Sequence, residues 1–169
     1  MTAAPTFALA VAKSKADIDA CVRVRIEVFI DEQKYSMDDE IDEHDNSGDH
    51  VSFLVSDTSV APPKPVGTVR LIPAKAKLTR LAVLKDYRKY GLGKQLVNAL
   101  EGYVVSHPDE MTGQVKVGAD GKKRVQIKIH SQVPVKPFYA KLGYTPVGDE
   151  FDEDGTPHQK MVQDFVVDQ

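Results

Sequence analysis

The sequence of 169 residues has few of the features that mark several common classes of protein. Cys21 is its only cysteine, which excludes a disulfide framework and a zinc site built on several cysteines. No stretch approaches the ~18 consecutive apolar residues of a membrane-spanning helix, and residues 1–19 lack the basic and apolar segments of a signal peptide. With 22 Lys and Arg against 25 Asp and Glu, the net charge is -3, which argues against a general nucleic-acid binder. We therefore expect a cytoplasmic protein without a metal and with neither membrane nor nucleic acid among its partners.

The residues that are present predict one domain of mixed α/β (α+β) class covering residues 1–169. Apolar residues make up 41% of the chain, which is enough for a core, and the length fits a single domain. Apolar periodicity predicts strands and helices in alternation. Strands are predicted at 7–11, 51–57, 66–74, 77–84, 125–131, 144–151 and 158–167. Helices are predicted at 15–30, from about Gly91 onward, and at 134–143. The connections are an acidic loop with one helical turn at 31–50 and a segment with room for a small hairpin at 106–124.

The stretch YRKYGLGKQL, residues 87–96, places Gly91 and Gly93 between a predicted strand and a predicted helix. The first turn of a helix has unpaired backbone N–H groups and a partial positive charge, and glycine lets a ligand approach them closely. Such a loop can hold a pyrophosphate. An ordinary strand-to-helix turn also uses glycine, for its dihedral angles alone, and the stretch matches neither the G-x-G-x-x-G nor the Walker A pattern. From this stretch alone, both interpretations stay open.

Two motifs resemble those of the GNAT superfamily of N-acetyltransferases. Residues 88–93, Arg-Lys-Tyr-Gly-Leu-Gly, fit its R/Q-x-x-G-x-G/A signature. About forty residues on, PFYAKLGY at 137–144 resembles the second block of the superfamily, in which Phe-Tyr precedes a Leu-Gly-aromatic turn. Gln132, seven residues before Tyr139, stands where many of these enzymes have Asn or Gln. The order of the two motifs, each after a strand and at the start of a helix, is also that of the superfamily.

The resemblance extends over residues 15–165. RVRIEVFIDEQ (23–33) and DEID (39–42) look like a bacterial-type subgroup with few assigned substrates. The superfamily implies a single-domain GNAT fold, in which flanking helices cover a mixed, mostly antiparallel sheet that splays apart between its fourth and fifth strands. In this chain those strands would be 77–84 and 125–131.

Acetyl-CoA is the co-substrate that the resemblance implies. Its pantetheine arm would lie in the opening of the sheet and pair with backbone groups of Leu81, Ala82 and Val83. Its pyrophosphate would rest on backbone N–H groups of the glycine loop, at Arg88, Lys89, Tyr90, Gly91, Leu92, Gly93 and Lys94. Gln132 and Phe138 are expected to complete the cofactor site. Because this recognition uses the backbone, the side chains of Lys89, Tyr90 and Leu92 are expected to matter little.

Acetyl transfer to an amine requires a neutral amine, a stabilised oxyanion and a proton for the leaving thiolate. The resemblance implies that Tyr139 is the general acid and that the backbone N–H of Val83 contacts the oxyanion; the alternative for Tyr139 is a core aromatic. Many superfamily members carry a glutamate on the fourth strand, where this chain has Arg80, so the base is open. His130 is a candidate, since histidine titrates near neutral pH, and a structural histidine or a water relay is the alternative. Lower-ranked candidates are Glu40, Glu43, His44 and His158.

The predicted function is an acetyl-CoA-dependent N-acetyltransferase that acts on a primary amine by direct transfer in a ternary complex. A non-catalytic acyl-CoA-binding sensor or scaffold is the alternative, motivated by the missing glutamate. Acidic residues crowd into 38–49 and 149–154, and we expect them to attract a cationic acceptor, with Glu40, Glu43 and Asp152 as substrate contacts. Two solvated acidic loops are the other interpretation. The resemblance also allows a homodimer.

Overall fold

The computed structural model describes residues 3–167, which contain eight strands and five α-helices. The strands are β1 (Phe7–Val11), β2 (Val51–Asp57), β3 (Lys64–Ile72), β4 (Lys77–Val83), β5 (Val115–Val117), β6 (Lys123–Gln132), β7 (Thr145–Glu153) and β8 (Thr156–Val166). The helices are α1 (Lys15–Arg25), α2 (Met37–Glu40), α3 (Glu43–Ser47), α4 (Leu92–Ser106) and α5 (Lys136–Lys141). A π-helix, Ile26–Glu32, follows α1, and 3-10 turns occur at Pro73–Lys75, Lys85–Tyr90, Pro108–Glu110 and Val133–Val135.

The described chain divides into two compact units. The first comprises the chain up to Arg70 together with Arg80–Leu100. The second comprises Leu71–Thr79 and the chain from Glu101 onward. The strand order is β1-β2-β3-β4-β6-β8-β7, and β5 pairs with β6. Among the described residues, no helix is long and apolar enough to cross a membrane.

In the first unit, the helix predicted over 15–30 is an α-helix that changes into a π-helix. Ser14 caps α1 by accepting the Asp17 N–H, as the sequence predicts. From Ile26 the chain continues as a seven-residue π-helix, a form that is often found at functional sites. The Gln33 N–H donates to the Val28 carbonyl at 3.0 Å, five residues back. Apolar spacing over so few residues does not distinguish the two helix types, so the sequence predicted only one helix.

The acidic stretch 31–50 contains two short helices where one helical turn was predicted. The Ser36 side chain accepts the Asp39 N–H at the start of α2. At the start of α3, the side chains of Asp42 and Asp45 each accept the other residue's backbone N–H, which is a capping box. We interpreted these aspartates only as loop charge, and their capping spacing is the signal that was missed.

The core of the first unit forms where α4 meets β2 and β3. Leu92, Leu96 and Leu100 are fully buried, as their helical spacing predicts, and burying each such side chain contributes roughly 1.5–3 kcal/mol. Gly67 in β3 makes the close packing possible. A Cβ at Gly67 would lie 2.7 Å from Val55 Cγ1 and 3.2 Å from Leu96 Cδ1, so a larger residue there would push the helix away from the sheet.

In the second unit, β6, β8 and β7 form an antiparallel arrangement. β6 and β8 pair from Arg124 opposite Val166 to Gln132 opposite His158. The turn between β7 and β8 contains Gly155, which has a left-handed φ of 79°. β5 pairs with β6 in antiparallel fashion, so the small hairpin that 106–124 had room for is present.

The predicted sheet is confirmed. β4 and β6 run parallel, with Lys77 opposite Lys128 and Leu78 opposite Ile129, two of the seven residues of β4. The strand predicted as the fifth is therefore β6, because the three-residue β5 precedes it. Antiparallel pairing joins β1 to β2, β5 to β6, β6 to β8 and β7 to β8. The chain thus has the mixed, mostly antiparallel sheet with flanking helices that the sequence predicts.

Candidate active site

The glycine loop after β4 forms the N-terminus of α4. Gly91 has a left-handed φ of 70° and directly precedes the first helical residue, Leu92. The Gly91 carbonyl accepts the Gln95 N–H at 3.3 Å, so the N–H groups before Gln95 have no carbonyl four residues back within α4. A Cβ added at Gly91 would meet no atom within 4 Å. Glycine is therefore required there by the backbone angle and not by lack of space.

Arg88 holds the loop to its surroundings in the first unit. Its Nε donates to the Val83 carbonyl at 2.9 Å. Its Nη1 and Nη2 donate to the two carboxylate oxygens of Glu32 at 2.7 and 2.6 Å, and this bonding lowers the pKa of Glu32. The charge of Arg88 is therefore matched by a carboxylate. Lys89 and Lys94, the other two cations of the glycine loop, have no carboxylate partner among the described residues.

The backbone at the end of β4 is held on both sides. The Val83 carbonyl is bound by Arg88, and the Leu84 N–H donates to the Val66 carbonyl at 2.9 Å. Three residues earlier, Arg80 has a φ of 55°, a left-handed conformation that is strained for a residue with a side chain and is maintained only by its surroundings. Its guanidinium donates to the carbonyls of Asp39 and Glu40. The predicted cofactor-binding segment, Leu81–Val83, thus lies between a strained residue and a fixed peptide group.

Arg80 belongs to a larger arginine–carboxylate cluster in the first unit. Its members are Arg25, Arg70, Arg80, Glu40, Asp42 and Asp45. Arg25 and Arg70 are each only 2% exposed. Burial alone would raise the pKa of Asp45, but hydrogen bonds from Arg25 and from the Asp42 backbone hold it well below the usual range of an aspartate. Removing one member would leave a buried charge without its partner, which is strongly destabilising.

The cluster contains one residue that was predicted to contact substrate. Glu40 is 4% exposed and lies 2.7 Å from Arg25 Nε and 3.3 Å from Arg80 Nε. Burial raises the pKa of Glu40, and Arg80 and Arg25 oppose this effect. Glu43, by contrast, has an 80% exposed side chain. The sequence analysis missed Arg25 as a partner, although an arginine on the apolar stripe of α1 is the signal that could have revealed it.

An open cavity of about 290 Å³ lies beside the π-helix in the first unit. Its lining combines apolar and charged side chains: Glu27, Val28, Asp31, Glu32, Leu84 and Lys85. Glu32 is paired with Arg88, so the carboxylates of Glu27 and Asp31 against the one lysine leave a small negative excess, which favours a positively charged occupant.

In the second unit, Tyr139 is a buried residue of α5. It is 5% exposed, and its ring meets those of Phe138 and Tyr144 edge to face at centroid distances of 5.1 and 5.9 Å. No group among residues 3–167 forms a hydrogen bond with its hydroxyl. Burial raises the pKa of Tyr139, so its hydroxyl keeps its proton at neutral pH. Gln132 and Phe138 are half-buried in the same unit.

His130 lies in β6 with a carboxylate at its ring. Its Nδ1 is 2.8 Å from Glu153 Oε1, and its ring meets that of Phe151 edge to face at 5.0 Å. The hydrogen bond with His130 lowers the pKa of Glu153. Asp152, next to Glu153, is exposed and accepts the Gly155 N–H at 3.1 Å. The sequence did not indicate Glu153 as a partner of His130, because their proximity depends on the β6–β8–β7 pairing.

Comparison with known proteins agrees with this fold and these motifs. The acetyltransferase (GNAT) domain family matches residues 17–165. A Bacillus subtilis (strain 168) protein named as an acetyltransferase is 37% identical over 153 residues, 89% of this chain and 91% of that protein. YjcF of the same organism, named as an N-acetyltransferase, is 34% identical over 155 residues, 91% and 97% of the two chains. A Lactobacillus plantarum crystal structure named as an N-acetyltransferase superposes with a TM-score of 0.73 at 25% identity, covering 94% of this chain and 97% of that one.

The fold and the family match place the chain among acyltransferases of the kind that uses an acyl-CoA donor. The chain belongs to the GNAT acetyltransferase family, since the family match covers most of its length. Membership supports acyl-CoA-dependent acyl transfer to an acceptor.

Proposed function

We propose that this protein is an acetyl-CoA-dependent N-acetyltransferase that acetylates a primary amine, either of a small cationic molecule or of a lysine-like group. Direct transfer in a ternary complex brings both substrates together, so proximity supplies much of the rate. The observation that carries the proposal is the left-handed Gly91 immediately before α4, within the Arg-Lys-Tyr-Gly-Leu-Gly motif.

In this proposal, acetyl-CoA is bound mainly by backbone groups. The pyrophosphate accepts hydrogen bonds from N–H groups of residues 88–94, where the first turn of α4 also contributes its partial positive charge. The pantetheine arm pairs with the backbone of residues 81–83. Gln132 and Phe138 are the further cofactor contacts that the family motif assigns. The pairing of Arg88 with Glu32 supports the emphasis on the backbone, since the arginine charge is already matched by a carboxylate.

The chemical roles follow from what each group can do. The Val83 N–H polarises the thioester carbonyl and stabilises the tetrahedral oxyanion. The Tyr139 hydroxyl donates its proton to the departing thiolate, a role supported by its buried position and the absence of another hydrogen-bond partner among the described residues. His130 takes the proton that the amine loses, and a water relay to solvent is the alternative route.

A cationic acceptor is supported by two acidic features, each within one unit. The cavity beside the π-helix is lined by Glu27 and Asp31, in addition to Glu32, whose charge Arg88 already balances. The second acidic group, residues 149–154, lies at the end of β7 and in the turn that follows, and Asp152 in it is exposed. In the first acidic stretch, Glu40 is paired with arginines, so we assign less of the attraction to it than to Glu43.

Two measurements test the proposal. Acetyl-CoA at a hundred times its Kd should stabilise the protein by about 2.7 kcal/mol, seen as a rise in Tm. Thiol release should then occur with at least one member of a panel of amines. Stabilisation without thiol release from any amine would favour a non-catalytic acyl-CoA-binding module. No stabilisation at saturating acetyl-CoA would contradict both functions.

A further inference from the structure

We propose that Glu153 is a positioning residue that holds His130 in the tautomer with the proton on Nδ1, so that Nε2 keeps the lone pair needed by a general base. This inference rests on the proposed function for the role of His130 in turnover, but the tautomer itself is independent of that role. Both residues lie in the second unit, and their geometry carries the argument.

The two contacts of His130 Nδ1 require different protonation states of this nitrogen. Glu153 Oε1 lies 2.8 Å from this nitrogen, and Lys77 Nζ lies 3.1 Å from it. A carboxylate can only accept a hydrogen bond, whereas a lysine ammonium can only donate one. Bonding to Glu153 therefore requires a proton on Nδ1, and bonding to Lys77 requires a lone pair there. One neutral imidazole cannot satisfy both.

Glu153 is the stronger partner. Its contact is the shorter of the two, 2.8 Å against 3.1 Å. Each contact has one ionised partner, so charge strengthens both, and the distance favours Glu153. The pKa of Glu153 is lowered first by the hydrogen bond with His130 and also by Lys77, so Glu153 is ionised at neutral pH. The Lys77 ammonium thus stabilises the carboxylate through charge, without needing the nitrogen lone pair.

The surroundings limit the other ways in which the ring could be held. Phe151 meets the imidazole edge to face at 5.0 Å. His158 Nε2 is 3.7 Å from Glu153 Oε2, beyond hydrogen-bond distance, and its Nδ1 is 2.7 Å from the Thr156 carbonyl. Lys160 is opposite His130 in the β6–β8 register. Among the described residues, the ionisable groups around His130 are thus one carboxylate, two lysines and a second histidine, and the carboxylate of Glu153 is the acceptor in contact with its ring.

The consequence for the reaction is a defined proton path. The imidazole is 30% exposed, so solvent reaches the side chain. The amine of the acceptor loses a proton to Nε2 as its nitrogen bonds to the acetyl carbon. The thioester C–S bond then breaks, and CoA leaves as a thiolate that takes a proton from Tyr139. The imidazolium of His130 retains its Nδ1–H bond to Glu153. The carboxylate then balances the new positive charge until Nε2 releases the proton to water. The same pairing of a carboxylate with a histidine base orients the imidazole in serine proteases.

Nitrogen NMR of the histidine side chains tests the tautomer directly, without requiring turnover. In the wild-type protein above neutral pH, long-range ¹H–¹⁵N spectra should show His130 protonated on Nδ1 and unprotonated on Nε2. In Glu153→Gln the Nδ1–H preference should be lost, while Lys77→Met should retain it. His107, whose Nδ1 contacts Ser106 and the Tyr103 carbonyl, is the internal control and should not change. A wild-type Nε2–H tautomer, or an unchanged tautomer in Glu153→Gln, would overturn the proposal.

Kinetics then separate this inference from the proposed function. Glu153→Gln should lower kcat about tenfold or more and leave the KM for acetyl-CoA unchanged. Asp109→Asn, which removes an exposed carboxylate of the same unit, should change none of these. Glu153→Asp should recover part of the rate. Wild-type kinetics in Glu153→Gln would refute the positioning role even if the enzyme proves to be an acetyltransferase. A protein with the expected tautomer but without thiol release would refute the proposed function alone.

Discussion

Replacing Gly91 by alanine is expected to weaken acetyl-CoA binding, although alanine removes no contact. Gly91 has a φ of 70°, and the left-handed conformation costs an L-residue roughly 1–2 kcal/mol. The new Cβ would meet no atom within 4 Å, so the backbone angle is the main term. A difference of 1–2 kcal/mol corresponds to a factor of about 5–30 in an equilibrium constant. If the turn of the Gly91→Ala variant relaxes in the free protein, acetyl-CoA must restore the left-handed angle on binding, and the factor appears in Kd. If the free variant keeps the left-handed angle, the cost falls on folding and appears in the free energy of unfolding.

Both quantities should therefore be measured, Kd by calorimetry and stability by urea unfolding, and their combined loss should be about 1–2 kcal/mol. Lys89→Ala should weaken binding less than Gly91→Ala, since an exposed charge contributes about 0.2–1 kcal/mol. Gly102→Ala is the matched control. Gly102 lies within α4 with nothing within 4 Å of its added Cβ and no left-handed φ, so alanine should stabilise the protein by about 0.5–1 kcal/mol without changing Kd. Equal effects of Gly91→Ala and Lys89→Ala on Kd, with no loss of stability in Gly91→Ala, would refute the backbone cradle.

Three other outcomes are expected. Tyr139→Phe should lower kcat about 100-fold or more and leave the Kd of acetyl-CoA nearly unchanged; rapid turnover in this variant would exclude the acid role. Asp45→Asn should lower the free energy of unfolding by about 3–5 kcal/mol at pH 7. Because the folded-state pKa of Asp45 is lowered, its contribution in the wild type is complete above the ordinary aspartate pKa of about 3.9 and is lost as the pH falls below it. This prediction would be contradicted if urea unfolding gave the same difference in free energy of unfolding between wild type and Asp45→Asn at pH 7 and at pH 2. Neutralising Asp149, Asp152 and Asp154 together should lower kcat/KM for a cationic amine more steeply at low than at high salt, and an unchanged value would show that this acidic segment does not attract the acceptor.

Local patterns predicted much of the fold because they depend on neighbours in the chain. The strands at 7–11 and 51–57 have the predicted bounds, and Ser14 caps α1. The change to a π-helix at Ile26 and the second helix in the acidic stretch were not predicted. The π-helix differs from an α-helix only in which carbonyl each N–H reaches, and the acidic stretch offers the same residues for capping as for a solvated loop.

The motif residues of the candidate site could be named from the sequence, but their partners could not. Arg88 was identified as a motif residue, and its bonds to Val83 and Glu32 became evident only in the structure. Arg25 and Glu40 likewise form an ion pair between residues fifteen positions apart. Such contacts depend on how separate helices and strands pack, which the spacing of residues along one segment does not encode.

The sequence by itself determined the family, the glycine loop and the tyrosine block, because these depend on residue types at fixed short spacings. Gly91 before a helix and Phe138-Tyr139 before a Leu-Gly turn are recognisable without coordinates. Only the tertiary structure decided which charged side chains have an oppositely charged partner and which nitrogen of His130 contacts a carboxylate. His130 and Glu153 are 23 residues apart and meet because β6 pairs with β8 and β8 with β7. An electrostatic interaction depends on distance and burial in three dimensions, and both are set by the packing of the strands.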